Sequence, residues 1–291
     1  MQEQEKDWLF RYQYIYRVRH SEKSKQRFLK ALVADLSTMR EDVRIIEYDR
    51  QKKSANRNVY IGNIEDAKEI ICTYYDTPTK SFGPYVFFDR EAQKRQTLIY
   101  LLSSSLLLVF LGFFFTLLYM NQVKNPFDFT SGWTWLAMAG FGGFFYLLSQ
   151  YTKGKASKKT FIRNTSSILA LLMLLKKNNQ EKRAFAFIDE GCYGNRGLKE
   201  LGRLASKNCR IVLLDSIGSN APLYAIGQGF SEMKLSQNAI QLKEVKQRVN
   251  YVISASEQLT KGQPILLLTK KELEQKQLNQ ENFKKIIALF E

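Results

Sequence analysis

A chain of 291 residues with 44 Lys plus Arg against 28 Asp plus Glu carries a net charge of +16, an excess that points to anionic partners: lipid head groups, nucleic acid or an acidic protein. Its hydropathy is negative on average although 45% of its residues are apolar, because these are concentrated in two stretches, residues 97–120 and 132–151. Cys72, Cys192 and Cys209 are odd in number and follow no zinc-type spacing, which excludes a fully paired disulfide framework and fits a reducing compartment.

The polar opening Met1–Trp8 lacks the apolar core of a signal peptide, so the amino terminus is expected to stay in the cytoplasm. Ser21 precedes a helix over residues 22–37, where Phe28, Leu29, Leu32, Val33 and Leu36 recur at helical spacing. Strands are expected at 43–48, 58–64 and 69–75, the last stopped by Asp76, Thr77 and Pro78. His20 reads as a solvated residue before the helix.

Residues 97–120 contain no charge, and a helix of that length crosses a hydrocarbon core of about 30 Å. A second uncharged stretch, 129–152, is equally long, and spans are expected at 97–120 and 132–152 with an external loop at 121–131. Gly140, Gly142 and Gly143 would let the two helices approach closely. Tyr100, Tyr119, Trp133, Trp135 and Tyr151 lie near the ends, where amphipathic rings favour the interface. Arg90, Lys94 and Arg95 precede the first span, and Lys153, Lys155, Lys158, Lys159 and Arg163 follow the second, whereas the loop holds only Lys124. Eight basic residues against one predict a cell-membrane protein with both termini cytoplasmic. Lys94, Arg95, Lys153, Lys155, Lys158 and Lys159 are then membrane-surface residues facing anionic head groups. The run 153–163 lacks the interleaved aromatics of a nucleic-acid site, so no nucleic-acid partner is expected.

Beyond the hairpin, helices and strands alternate. Thr165 or Ser166 is expected to cap a helix through Lys177 with Ile168, Leu169, Leu172 and Leu175 inward. Strands are expected at 184–188, 210–214 and 264–269, and helices at 198–206 and 281–290. Apolar strands separated by helices imply a buried sheet. Neither flank has enough strands by itself, so residues 1–92 and 160–291 are expected to form one cytoplasmic α/β domain: a mixed sheet covered by helices on both faces, interrupted by a two-helix transmembrane hairpin.

The order of motifs resembles the di-zinc aminopeptidase superfamily, which includes glutaminyl cyclases and the transferrin-receptor ectodomain. The strand ending Thr73-Tyr74-Tyr75-Asp76 is similar to the family's His-x-Asp strand, with Tyr74 at the histidine place. Arg163-Asn164-Thr165-Ser166-Ser167 resembles the Asp-Asn-x-Ser-Gly start of a helix. Ile188-Asp189-Glu190-Gly191-Cys192 looks like the strand ending in Asp-x-Glu-Glu. Asp215-Ser216-Ile217-Gly218 is similar to Asp-x-x-Gly, and Gly262-Gln263-Pro264 to a Gly-x-Pro turn before a late strand. The resemblance spans residues 20–92 and 160–291 in order and implies the exopeptidase-like fold.

The departures bear on function. Zinc is held by nitrogen, oxygen or sulfur donors, yet Tyr74 stands for the first histidine and Arg163 for the bridging aspartate. Gly191 and Cys192 fall on the double glutamate, and no histidine follows His20. Asp76 and Asp215 keep their places, with Asp189 and Glu190 beside them. The resemblance therefore implies a vestigial site of Tyr74, Asp76, Arg163, Asp189, Glu190 and Asp215, with no catalytic residues, metal or other cofactor. Its carboxylates are expected to be strand-end caps and partners of Arg163. Cys192 lacks a histidine base for nucleophilic work, and the segment 191–197 lacks a P-loop or dinucleotide spacing. The expected function is that of a membrane-anchored, non-catalytic peptidase-like protein binding a protein or peptide partner, as a subunit or accessory of a membrane complex. The alternatives are an active membrane hydrolase with an altered carboxylate metal site, and a transport component, the latter weakened by spans without ionisable residues.

Overall fold

The computed structural model describes residues 3–51, 54–122, 128–152, 154–178, 180–192, 194–260 and 262–291. Lys153 and the middle of the expected external loop, including Lys124, lie outside the described residues. The chain divides into two units: one of residues 1–78, 84–88 and 158–291, and one of residues 79–83 and 89–157.

The first unit opens with α1 (Glu3–Phe10) and α2 (Glu22–Ser37). Ser21 and Ser24 form a reciprocal capping box at the start of α2, each side chain serving the other's backbone N–H. Phe28, Leu29, Leu32 and Leu36 are buried along one stripe of α2, and Lys25 continues that stripe by one turn. Then come β1 (Val43–Gln51), β2 (Ser54–Ile61), β3 (Glu69–Tyr74) and the short β4 (Tyr85–Val86). The expected strand at 58–64 begins and ends earlier, because Gly62, at φ 90°, turns the chain out of the sheet.

The second unit contains α3 (Arg90–Gln122) and α4 (Gly132–Thr152). Among the described residues α3 is the one helix long and apolar enough to cross a membrane, with a mean hydropathy of 2.4 over its best window. Its first turns include Arg90, Lys94 and Arg95, so it begins well before residue 97. The glycines, Gln150 and terminal aromatics of α4 dilute its hydropathy. The two helices pack side by side, with the Tyr119 hydroxyl 3.4 Å from Thr134 Oγ1. The expected glycine contacts are not the ones used: a Cβ on Gly140, Gly142 or Gly143 would meet open space, whereas one on Gly112 would press into the Phe144 ring at 2.7 Å. Lys155 Nζ lies 5.5 Å from the Tyr151 ring.

The first unit resumes with α5 (Ser166–Lys177), β5 (Arg183–Ile188), α6 (Arg196–Leu204), β6 (Arg210–Asp215) and β7 (Leu223–Ile226). It closes with α7 (Glu232–Gln237), β8 (Gln241–Lys243), β9 (Val249–Ser254), β10 (Ser256–Thr260), β11 (Gln263–Leu268), α8 (Lys270–Leu273) and α9 (Gln280–Phe290). Among the described residues eight strands form one mixed sheet in the order β1-β2-β5-β3-β6-β9-β7-β8, and β10-β11-β4 form a second sheet. The centre is parallel: β3 lies between β5 and β6, with Ile71 opposite Phe185 on one side and Val212 on the other.

Both faces of the large sheet are covered, as the mixed α/β pattern predicted. Ile71, Phe185, Phe187, Val212 and Leu214 point towards α2, α5 and α9, while Ile70, Cys72, Ala186, Ile188 and Leu213 meet Leu198 and Leu201 of α6. α5 is buried on every side from Ser166 to Leu175, not along the four-residue stripe expected of it, because it lies between the sheet and further helices. Neither Thr165 nor Ser166 caps it. A π-turn (Phe161–Thr165) precedes it, Thr165 accepts a bond from Arg19, and the Ser166 hydroxyl donates to the Ile162 carbonyl. At the amino-terminal ends of the central strands Glu69 on β3 pairs with Arg183 on β5, at 2.7 Å, and with Arg210 on β6. Arg183 also donates to the Phe290 carbonyl at the end of α9, at 2.5 Å.

Candidate functional site

The candidate site lies at the carboxyl ends of β3, β5 and β6, where Asp76, Asp189 and Asp215 leave the sheet together. In open α/β sheets this is the edge at which ligands are held. Asp76 is 1% exposed, and its two oxygens accept the backbone N–H groups of Gly191 and Cys192, both at 3.0 Å. The segment after β5, which lacks a P-loop or dinucleotide spacing, thus turns two of its amides onto an anion of the chain's own, Asp76. The Asp76 carbonyl in turn accepts from Asn164 at 2.9 Å and from the Cys192 thiol at 3.4 Å.

Lys25 dominates the electrostatics. Its ammonium lies 2.6 Å from Asp189 and 3.1 Å from Glu190, delivered there by the apolar stripe of α2. Burial pulls this ammonium down, but the fields of Asp189, Asp76 and Glu190 outweigh burial and hold it above the usual lysine range. Burial raises Asp189, against the pull of Lys25. Asp76 is pushed from 3.8 to about 6 by burial first and by Asp189 second, with Lys25 and the Cys192 N–H opposing.

Arg19 is a second buried cation. It donates to the carbonyls of Tyr75 (2.5 Å) and Tyr16 (2.7 Å) and to Thr165 Oγ1 (3.3 Å), over the ring of Phe28. Burial lowers it to about 10, with Asp76 opposing. Neither Lys25 nor Arg19 was picked out as a site residue from the sequence, although Lys25 lies one turn ahead of Phe28 and Leu29 on the stripe that Leu32 and Leu36 continue. A charge on such a stripe is the signal that could have found it. His20 is half-buried, with Nδ1 3.2 Å from the Thr77 carbonyl, not fully solvated as expected.

The remaining predicted residues divide into two groups. Tyr74 packs its ring onto Gly191, where a Cβ would come within 1.8 Å of Tyr74 Cδ1. The space beside Gly191 is therefore filled by the Tyr74 ring, whose hydroxyl reaches Asn195 Oδ1 at 3.4 Å. Asp215 accepts from the Tyr85 hydroxyl at 2.7 Å and from Ser216 at 2.8 Å. Arg163 lies over the Tyr85 ring, 3.8 Å from its centroid. The carboxylates were expected to pair with Arg163; they are instead engaged by Lys25, backbone amides and hydroxyls. Glu190 (φ 57°), Asn195 (φ 55°) and Ser216 (φ 59°) hold left-handed conformations around this edge, a local strain that the surrounding bonds must offset. Of the predicted surface residues, Lys159 pairs with Glu274.

No protein-family model matches the chain, and no curated protein sequence does. Among solved structures it is similar to a Zn-dependent exopeptidase from Parabacteroides distasonis, with a TM-score of 0.50 and 12% identity over 97% of this chain and 95% of that one. It is also similar to the glutaminyl cyclase of Porphyromonas gingivalis, with a TM-score of 0.47 and 11% identity over 98% of this chain and 94% of that one. The fold is thus that of the zinc-dependent exopeptidases; at this identity the likeness is one of fold alone.

The residues at this edge do not fit a zinc pair. A phenol packed on a glycine, a guanidinium on an aromatic ring and a thiol bonded to a carbonyl stand at Tyr74, Arg163 and Cys192, which only the sequence resemblance matches to zinc ligands. Of the acidic side chains that remain, Asp189 and Glu190 hold the Lys25 ammonium, Asp76 is bound by two backbone amides and Asp215 by the hydroxyls of Tyr85 and Ser216. Among the described residues no group of three or more His, Cys, Asp or Glu side chains is arranged to hold a metal ion.

Two outcomes follow from this geometry. Gly191→Ala should destabilise the protein by about 2 kcal/mol through overpacking against Tyr74. Adding Tyr74→Ala should cost less than the sum of the two changes, as read by chemical denaturation; strict additivity would show that the ring and the glycine are uncoupled. Asp76 should titrate near pH 6 by carboxyl NMR, and higher still in Lys25→Met. The native state then binds a proton that the unfolded chain does not between about pH 4 and 6, so this carboxyl's contribution to stability grows as pH falls through that window. A midpoint at or below 4 would contradict the burial of its charge.

Proposed function

We propose that this chain is a membrane-anchored, non-catalytic peptidase-like protein whose α/β unit binds a protein or peptide partner, as a subunit or accessory of a membrane complex. The observation that carries the non-catalytic reading is the ammonium of Lys25 at 2.6 Å from Asp189 and 3.1 Å from Glu190. A fixed cation neutralises those carboxylates, and a divalent ion brought to the same oxygens would meet strong repulsion in a poorly solvated site. The alternative of an active hydrolase with a carboxylate-only metal site is disfavoured by the same contact.

Membrane anchoring is supported by the second unit. Leu102, Leu106, Phe110 and Phe113 on α3 and Trp135, Leu136, Met138 and Phe145 on α4 are all exposed. An apolar surface of that extent is costly in water and matched in lipid. Both helices are then spans, and the eight-to-one basic bias sets both termini in the cytoplasm.

Protein purified after growth with added zinc should contain far less than one zinc per chain and leave leucyl amides intact. Stoichiometric zinc together with amide hydrolysis would overturn the reading. For topology, a cysteine introduced at Asn125 should react with an impermeant maleimide in intact cells, whereas cysteines near either terminus should not. The reverse labelling pattern would refute the two-span arrangement.

A further inference from the structure

Lys25, Arg19 and Arg163 all reach the carboxyl edge of the sheet, and the first two are engaged there by oxygen partners. Lys25 is held by Asp189 and Glu190, and Arg19 donates to two carbonyls and a hydroxyl. Arg163 differs. It makes no hydrogen bond and no ion pair with any described residue, and its interaction is with the ring of Tyr85 beneath it. That ring is fixed by its hydroxyl, which donates to Asp215. Arg163 as a residue is half-buried, and burial of its guanidinium lowers the pKa less than Tyr85, Cys192, Asp215 and Asp76 raise it, so it stays charged. With one face on an aromatic ring, the edge of the fork, with its N–H donors, is what remains to meet a ligand.

We propose that Arg163, laid on Tyr85, is the receptor for a carboxylate of the bound peptide. A guanidinium edge matches a planar carboxylate with two parallel bonds. A singly charged, planar group suits this place better than a phosphate dianion, because Asp215 and Asp76 lie close enough to act on Arg163 and would repel the second charge. This inference rests on the partner-binding reading above and names the chemistry that such a partner would present.

The test uses full-length protein in detergent, labelled with 15N-arginine, with the Arg163 Nε–H signal assigned by its loss in Arg163→Lys. The probe is the tetrapeptide Leu-Ala-Leu-Ala with free ends, set against its carboxyl-terminal amide, inorganic phosphate and vesicles of phosphatidylglycerol. The free-acid peptide should shift the Arg163 signal saturably, the amide should bind at least tenfold more weakly, and Arg163→Gln should lose the preference. Equal binding of acid and amide, or a response to phosphate or vesicles alone, would overturn the proposal. The comparison of the two peptides on unaltered protein decides the matter even if Arg163→Gln does not fold. Mass spectrometry of the recovered peptide separates the two readings: a peptide shortened from its amino end refutes the non-catalytic reading, whereas an intact peptide that never shifts Arg163 refutes the carboxylate receptor alone.

Discussion

The fold of the first unit depends on an ammonium enclosed by carboxylates. Taking Lys25, Asp189 and Asp76 out of water is expensive for each ion separately, and removing one partner of such a set leaves an uncompensated buried charge. The cluster therefore ties α2 to the end of β5 with one permitted register. The capping box at Ser21 sets the start of that helix, Phe28, Leu29, Leu32 and Leu36 set its rotation, and both together place Nζ within 2.6 Å of Asp189. Arg19, two residues before the cap, ties the same segment to the Tyr75 carbonyl and to Thr165 at the start of α5. At this edge the polypeptide itself supplies the positive charge that the carboxylates face.

The neighbourhood is arranged around that ammonium. Lys25 holds Asp189 and Glu190, while Asp76 binds the amides of Gly191 and Cys192, which shapes the turn into α6. The turn's left-handed Glu190 and the absence of a Cβ at Gly191 admit the Tyr74 ring, so the site is filled from within by an aromatic side chain. Asp215 is engaged separately by Tyr85 and Ser216, which leaves Arg163 resting on the Tyr85 ring at the margin.

Much of this was legible in the sequence. The apolar strands ending at Asp76, Asp189 and Asp215, in that order, identified the carboxyl edge and the exopeptidase-like sheet. The cation at its centre was not found, because Lys25 is remote in sequence from every motif of the site, and its meaning depends on the rotation of α2. Strand β9 was missed for a related reason: Asn250 interrupts its apolar run, yet it is only 6% exposed and bonds the backbone of Gln228 across the turn after β7. Thr165 has the composition of a helix cap, but a π-turn precedes it and Arg19 takes its hydroxyl. The glycines of α4 suggested close packing, whereas Gly112 of α3 provides it. In each instance a side chain was read by its type where a distant partner decided its role.

The position of β3 also orders the biogenesis of the protein. β3 pairs with β5 on one side and β6 on the other, and both emerge from the ribosome only after α3 and α4. Until then the nascent chain holds the β1–β2 ribbon and an apolar strand, Ile70 to Thr73, with no lateral partner. Sheet closure is thus a late, high-contact-order event, and the unpaired β3 is exposed to aggregation while the hairpin is being made. Arg183 of β5 also closes onto the carbonyl of Phe290, which is made later than either strand. Closure of the large sheet is consequently ordered after the synthesis of α3 and α4.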